Sequence, residues 1–212
     1  MTLKINEIFY SLQGESLCTG LACVFVRLTG CNLRCDWCDT RYAYDEGHDM
    51  AVDDVLKRVA AYDCPLVEIT GGEPLLQEQT PVLISKLLDR GYRVLLETNG
   101  TRDTRDLPAA CEKIVDIKCP GSGEGGRHRR DILERLRPHD QVKFVIADET
   151  DYHFARDFSR VIRAVPPGNI LFSPVNGRLA ASTLAEWLLR DHLGIRMQLQ
   201  LHQIIWKGER GK

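Results

Sequence analysis

Seven short apolar runs, rich in β-branched residues and separated by longer amphipathic or polar stretches, most constrain the fold of this 212-residue chain. They lie at 22–28, 66–69, 93–96, 113–117, 141–146, 169–172 and 196–201 and read as strands. Helices are expected at 52–61, 81–90, 130–136, 152–164 and 183–192. In the second of these, Val82, Leu83, Leu87 and Leu88 recur at helical spacing, and Gly91 supplies a C-terminal stop. Strands alternating with helices form β–α units around a mainly parallel sheet. A closed β/α barrel needs eight strands, so six or seven predict an α/β fold in the form of an incomplete, TIM-like barrel of about six parallel strands. A doubly wound open sheet is the alternative. The glycine-rich stretch from Gly121 to Gly126 reads as a loop because the alternation resumes after it, leaving one domain over 1–212.

A formal charge of −2 provides no basic excess for nucleic acid. The one compact basic run, 127–130, reads as a solvated helix start. The N-terminus lacks a basic segment followed by an apolar run, and no apolar stretch approaches the ~18 residues of a membrane span. The expected location is therefore the cytosol, with no membrane partner. There disulfides rarely persist, and clustered cysteines bind metal or do chemistry, so the eight cysteines need sorting.

Polar, glycine-rich motifs follow the expected strands: Thr29-Gly30-Cys31, Thr70-Gly71-Gly72-Glu73-Pro74, Glu97-Thr98-Asn99-Gly100, Lys118-Cys119-Pro120 and Ser173-Pro174-Val175-Asn176. In a β/α barrel these positions share the rim that carries active sites. Within that rim, Cys31, Cys35 and Cys38 place three thiols inside eight residues, as iron–sulfur ligation requires. Three ligands on a four-iron cluster leave one iron open to a substrate. A structural zinc site is the competing reading, but it wants four closed ligands, and no second cysteine or histidine pair has the spacing. Cys18, Cys23, Cys64 and Cys111 have no ligand spacing and read as small apolar residues.

The CxxxCxxC spacing, with Trp37 before the last cysteine and Gly71-Gly72-Glu73-Pro74 at the next strand end, resembles the radical S-adenosylmethionine (SAM) superfamily. That resemblance implies a 4Fe–4S cluster on the three cysteines, SAM with its methionyl amine at Gly72, and its adenosyl group near Trp37, Cys38 and Asp39. The segments from Ile8 to Ser16, around Arg27, Cys38-Asp39-Thr40 and Leu199-Gln200-Leu201-His202 look like the 7-carboxy-7-deazaguanine synthase family across nearly the whole chain. This likeness implies conversion of 6-carboxy-5,6,7,8-tetrahydropterin to 7-carboxy-7-deazaguanine with loss of ammonia, on the route to queuosine and related deazapurines. It also implies a homodimer, magnesium and an electron donor such as flavodoxin or ferredoxin. Leu12, Gln13, Gly14, Arg27, Thr70 and His202 match substrate contacts. Thr40 matches the magnesium ligand. Lys118, Cys119 and Pro120, with Ser173, Pro174, Val175 and Asn176, fall at segments lining the SAM site.

Some of these residues also carry an ordinary reading. Arg27 inside Val24-Phe25-Val26-Arg27-Leu28 is costly to bury unless an anion meets it, either a substrate carboxylate or an internal Asp or Glu. Thr40 could be a cap or turn hydroxyl, and His202 a hydrogen-bonded structural residue closing the last strand. The rival functions are an activase that places a glycyl radical on a partner protein and a non-enzymatic iron–sulfur or zinc-binding module.

Overall fold

A computed structural model describes residues 1–212. Its strands are β1 (Thr2–Leu12), β2 (Ala22–Leu28), β3 (His48–Ala51), β4 (Leu66–Gly71), β5 (Arg93–Thr98), β6 (Glu112–Asp116), β7 (Gln141–Ile146), β8 (Ile170–Pro174) and β9 (Arg196–Met197). They form one nine-stranded sheet in the order β3-β1-β2-β4-β5-β6-β7-β8-β9. From β2 to β9 every neighbouring pair is parallel, whereas β1 is antiparallel to both β2 and β3. The two edge strands, β3 and β9, do not pair with each other, so the sheet is an open, partial barrel, as expected.

The helices are α1 (Val52–Ala60), α2 (Thr80–Asp89), α3 (Glu149–Ser159), α4 (Ala181–Asp191) and α5 (Leu201–Trp206). On α2 the buried face is Leu83, Ile84 and Leu87, with Leu88 packed at its edge, a helical repeat turned toward the sheet. Gly91 ends that helix with φ +84°, a left-handed conformation natural to glycine. One apolar cluster joins α1 and α2 to β1, β2, β4 and β5; a second, around Phe144, Tyr152 and Phe172, joins α3 and α4 to β6–β8. No helix is long and apolar enough to cross a membrane.

A strand's side chains alternate between faces, and here the inner face is polar. Phe25 and Arg27, Glu68 and Thr70, then Ile114, Asp116 and Lys118, each two apart, line one cavity. The residues that alternate with them, such as Val24, Val26, Val67 and Ile69, are fully buried in the apolar core.

Several expectations need correction. The first and third strands, β1 and β3, were not anticipated. The strand expected at 196–201 survives only as Arg196–Met197, and Leu201–Trp206 is helical, so His202 sits on a first helical turn instead of closing a strand. The chain leaves the ladder there because Leu201 N–H donates to the Gly14 carbonyl at 3.0 Å. The helix expected at 130–136 is a 3-10 helix, Arg130–Arg135. The helix expected at 152–164 is α3, which starts earlier because the Asp148 carboxylate accepts from Asp151 N–H at 2.9 Å, an N-cap.

Candidate active site

The three-cysteine loop leaves β2 at the inner rim. Gly30 N–H donates to Ala43 O at 2.8 Å, and Glu73 N–H donates to Gly30 O at 2.8 Å, fixing the loop's entry against the end of β4. Gly72 must be glycine: a Cβ there would stand 2.3 Å from Gly30 O and 2.6 Å from Cys31 Cβ. Farther along, Asp36 N–H donates to Ser122 O at 3.0 Å and Arg34 N–H to Glu124 Oε1 at 2.7 Å. The loop is thus held from both sides. Cys31, Cys35 and Cys38 all line the cavity, Cys35 buried and the other two half-buried.

Leu33 N–H points at Cys31 Sγ from 3.4 Å, the contact that favours a thiolate. Burial pushes the Cys35 thiol up to about 11 and the Cys31 thiol in the same direction, so metal ligation would release their protons. No three His, Cys, Asp or Glu side chains converge on a position for one metal ion. Three thiols on one loop are the donor set of an iron–sulfur cluster, whereas a structural zinc wants a fourth protein ligand.

Glu73 closes the rim between β4 and β5. Its buried carboxylate accepts from Leu75 N–H at 3.0 Å, Asn99 N–H at 2.7 Å and Thr98 Oγ1 at 2.9 Å. It braces the loops after β4 and β5 and is too fully engaged to be a free acid or base.

Gln13, Gly14, Arg27, Thr70 and His202, which the sequence resemblance matches to substrate contacts, line the same cavity. Buried Gln13 donates through Nε2 to Glu68 Oε2, and its Oε1 accepts from Glu15 N–H at 3.0 Å. Gly14 leaves room for His202, whose Nδ1 would lie 2.5 Å from any Cβ added there. Thr70 Oγ1 donates to Glu97 at 3.4 Å. Arg27 donates from Nε to Glu7 Oε1 at 2.8 Å, and no protein acceptor takes its two terminal nitrogens. Of the two partners open at the sequence level, an internal carboxylate takes Nε, and Arg27 also lines the cavity.

His202 Nε2 lies 3.8 Å from Asp39 Oδ2. Although the crowded cavity mouth works against both charges, each holds the other, so the Asp39 carboxyl falls to about 2 and the His202 pKa rises above its usual value. Thr40 stands at the N-cap position of the 3-10 helix Arg41–Tyr44, but its hydroxyl makes no capping bond and lies 3.7 Å from Cys38 Sγ, beside the cavity.

Of the remaining anticipated residues, Leu12, Trp37, Lys118, Val175 and Asn176 line the cavity, whereas Cys119, Pro120, Ser173 and Pro174 do not. Cys119 is packed in the second apolar cluster, and Pro120 opens the 3-10 helix Pro120–Ser122 whose last carbonyl holds Asp36.

Sequence reasoning missed the charged group at the cavity floor. Lys143 Nζ donates to Glu15 Oε2 at 2.5 Å and to Glu97 Oε1, and lies 3.6 Å from Asp116, which also accepts from Lys118 Nζ at 2.8 Å. Burial opposes the Lys143 charge, yet the three carboxylates raise its pKa well above that of a free lysine. The signal was present: Lys143 in Val142-Lys143-Phe144 and Glu68 in Val67-Glu68-Ile69 interrupt apolar strands as Arg27 does.

Comparison with known proteins places this geometry. Residues 25–145 match the radical SAM superfamily. A 7-carboxy-7-deazaguanine synthase of Koribacter versatilis is 46% identical, over 98% of this chain and 98% of its own length. The synthase of Chlorobaculum tepidum is also 46% identical, over 96% of this chain and 94% of its own. In fold, the chain is similar to the crystal structure of QueE from Escherichia coli, with TM-score 0.80, 24% identity and 94% of each chain covered.

Proposed function

The chain belongs to the 7-carboxy-7-deazaguanine synthase family of the radical SAM superfamily, and on that premise we propose that it converts 6-carboxy-5,6,7,8-tetrahydropterin to 7-carboxy-7-deazaguanine with loss of ammonia. One observation carries the reading: a single cavity of about 450 Å³ is lined both by the three thiols and by Arg27, Gln13 and Thr70, with only the Nε of Arg27 taken by a protein carboxylate. A cavity of that order suits a small molecule, whereas a protein partner would need an open surface.

Cys31, Cys35 and Cys38 are assigned to the cluster and Gly72, Trp37 and Asp39 to SAM; together these groups supply one-electron cleavage of the cofactor and hydrogen abstraction when bound. The protein's own work is positional. Arg27 offers two parallel donors to the pterin carboxylate, a planar match that fixes the ring's orientation. Gln13, itself held by Glu68, and Thr70, held by Glu97, present polar edges whose directions are set before substrate arrives. The cavity keeps reactive positions from bulk water. Thr40 is the magnesium ligand in this reading: its hydroxyl is a hard oxygen donor that makes no capping bond, and magnesium would keep waters and substrate oxygens for its other positions. The same reading extends to one domain over 1–212, a homodimer, an external donor such as flavodoxin or ferredoxin, and a cytosolic location.

Anaerobic reconstitution followed by iron analysis, SAM cleavage with dithionite and turnover of the carboxylated pterin tests the assignment. Iron binding with SAM cleavage but no pterin turnover would overturn the substrate; neither iron nor cleavage would overturn the enzyme class. Thr40→Val, in the reconstituted protein, should keep its cluster spectrum and lose most of its response to magnesium. An undiminished response would return Thr40 to a turn residue.

A further inference from the structure

Glu7 was not singled out by sequence and does not line the cavity, yet three separate parts of the molecule converge on its carboxylate. It faces Arg27 directly across the β1–β2 ladder, next to an irregularity between Ile5 and Glu7. Such a break re-aims a side chain. Here it ends the buried alternation of Leu3 and Ile5 where Glu7 turns to the arginine. Oε1 accepts from Arg27 Nε at 2.8 Å and from the Tyr42 hydroxyl at 3.1 Å. Oε2 accepts from Arg210 Nε at 3.4 Å.

We propose that Glu7 is a positioning residue, fixing Arg27 from behind so that only its two terminal nitrogens face the cavity, and tying the C-terminal segment across the same mouth through Arg210. The proposal rests on the substrate reading above. Arg27 has few other orientations open: its guanidinium carbon stands 5.8 Å from the Phe9 ring and 5.9 Å from the Tyr42 ring, which flank it while Glu7 occupies the Nε edge. A guanidinium held on one edge presents its remaining donors as a fixed fork, and less conformational freedom is lost when a carboxylate docks.

The second half of the carboxylate's work involves the chain's end. Arg210 also donates to Glu46 Oε2 at 2.8 Å and Asn6 Oδ1 at 3.1 Å, and its guanidinium lies 4.1 Å from the Tyr42 ring. These contacts bring Gly208, Gly211 and Lys212 onto the cavity wall. Arg27 and the covering segment thus share one carboxylate and one aromatic ring, and a disturbance of either reaches the other.

The test is Glu7→Gln in the reconstituted enzyme. The expected result is a pterin KM raised on the order of tenfold, kcat changed less than about threefold, and uncoupled SAM cleavage retained. A merely structural role would move iron loading, cleavage and turnover together. In an Arg27→Lys background the same change should add less than about twofold, because its route to substrate has been removed. Arg210→Met, at a half-exposed side chain that tolerates replacement, should raise KM by about two- to fivefold and serves if Glu7→Gln does not fold. Unchanged KM in the Glu7 or Arg210 variant, or full additivity with Arg27→Lys, would overturn the inference while wild-type turnover left the substrate reading standing. A wild-type protein that cleaves SAM but neither binds nor turns over the carboxylated pterin would overturn both.

Discussion

A charge inside an apolar strand needs a partner, and this chain uses that requirement several times on one face. Arg27 is the clearest case because its partner takes only Nε. Arg27→Lys should therefore be non-conservative: an ammonium cannot keep both the Glu7 contact and a two-point contact to a carboxylate. Losing that contact costs on the order of 2–4 kcal/mol, about thirtyfold or more in pterin kcat/KM. Slow SAM cleavage without pterin should persist, and comparing 5′-deoxyadenosine formation with pterin turnover in one cluster-loaded sample checks it. Glu68 shows the other outcome of burial. With Glu97 nearby, burial pushes its carboxyl up to about 8, so the folded protein keeps it protonated while the unfolded chain, near 4.5, has ionised. The native state then binds more protons across that interval, and stability from this group is full below about 4.5 and lost as pH rises toward 8. Glu68→Gln, which can still accept from Gln13, should flatten that decline. Urea unfolding at pH 5 and pH 8 measures it, and an equal pH dependence in both proteins would mean Glu68 is ionised in the fold.

At the scale of elements, the cysteine loop and the β4 end are one unit, joined where Gly72 passes under Gly30 and Cys31. Gly72→Ala should displace the loop by forcing a Cβ against backbone, with iron loading reduced severalfold and folding stability lowered by about 1–3 kcal/mol. Gly168→Ala is the control, since a Cβ there meets nothing within 4 Å and its φ is not left-handed. Iron content and thermal melting of the two variants decide the matter. Sequence made this unit legible because its residues are adjacent: β2 has the bounds expected of it, β4 starts where expected and runs two residues farther, and the thiols lie on one loop. It could not show β1, whose side chains after Ile5 are half-buried and mixed, so they give no clean alternation. Nor could it show the end of β9. Leu199-Gln200-Leu201 alternates like a strand, but Gly14, far away in sequence, takes the Leu201 N–H and starts a helix. Lys143 was legible as a charge inside an apolar strand, but its partners were not: Glu15, Glu97, Asp116 and Lys143 come from four separate segments, and only the sheet order makes them neighbours.

For the whole molecule, the open sheet poses a problem that the two ends of the chain solve together. A partial barrel has a gap between its edges, and here the loop after β1 crosses toward β9 and α5 by side-chain bonds and the single Leu201 N–H to Gly14 carbonyl bond in place of a strand ladder. Gln198 is the principal link: its Oε1 accepts from Ser16 N–H at 2.9 Å, and its Nε2 donates to Ser16 O at 2.8 Å and to Thr19 Oγ1 at 2.9 Å. Ser16 is buried and has φ +65°, a left-handed conformation that a serine adopts only at a cost, so this two-point clamp holds a strained residue in place. Gln198→Leu keeps comparable bulk and removes all three bonds, leaving the buried Ser16 N–H unpaired while the Ser16 carbonyl keeps only its contacts from Thr19. The expected loss is about 2–3 kcal/mol, which for a chain of this size lowers Tm by about 5–10 °C. The same loop carries Gln13, Gly14 and Glu15 to the cavity, so loosening the seam should also raise the pterin KM while the cysteine loop, anchored to β4 and Ser122, keeps its iron. Melting, iron analysis and pterin kinetics on one preparation separate the possibilities. Iron lost together with KM would mean the seam supports the whole rim, and an unshifted Tm would mean the loop after β1 is held by Leu17 N–H on Gln141 Oε1 instead.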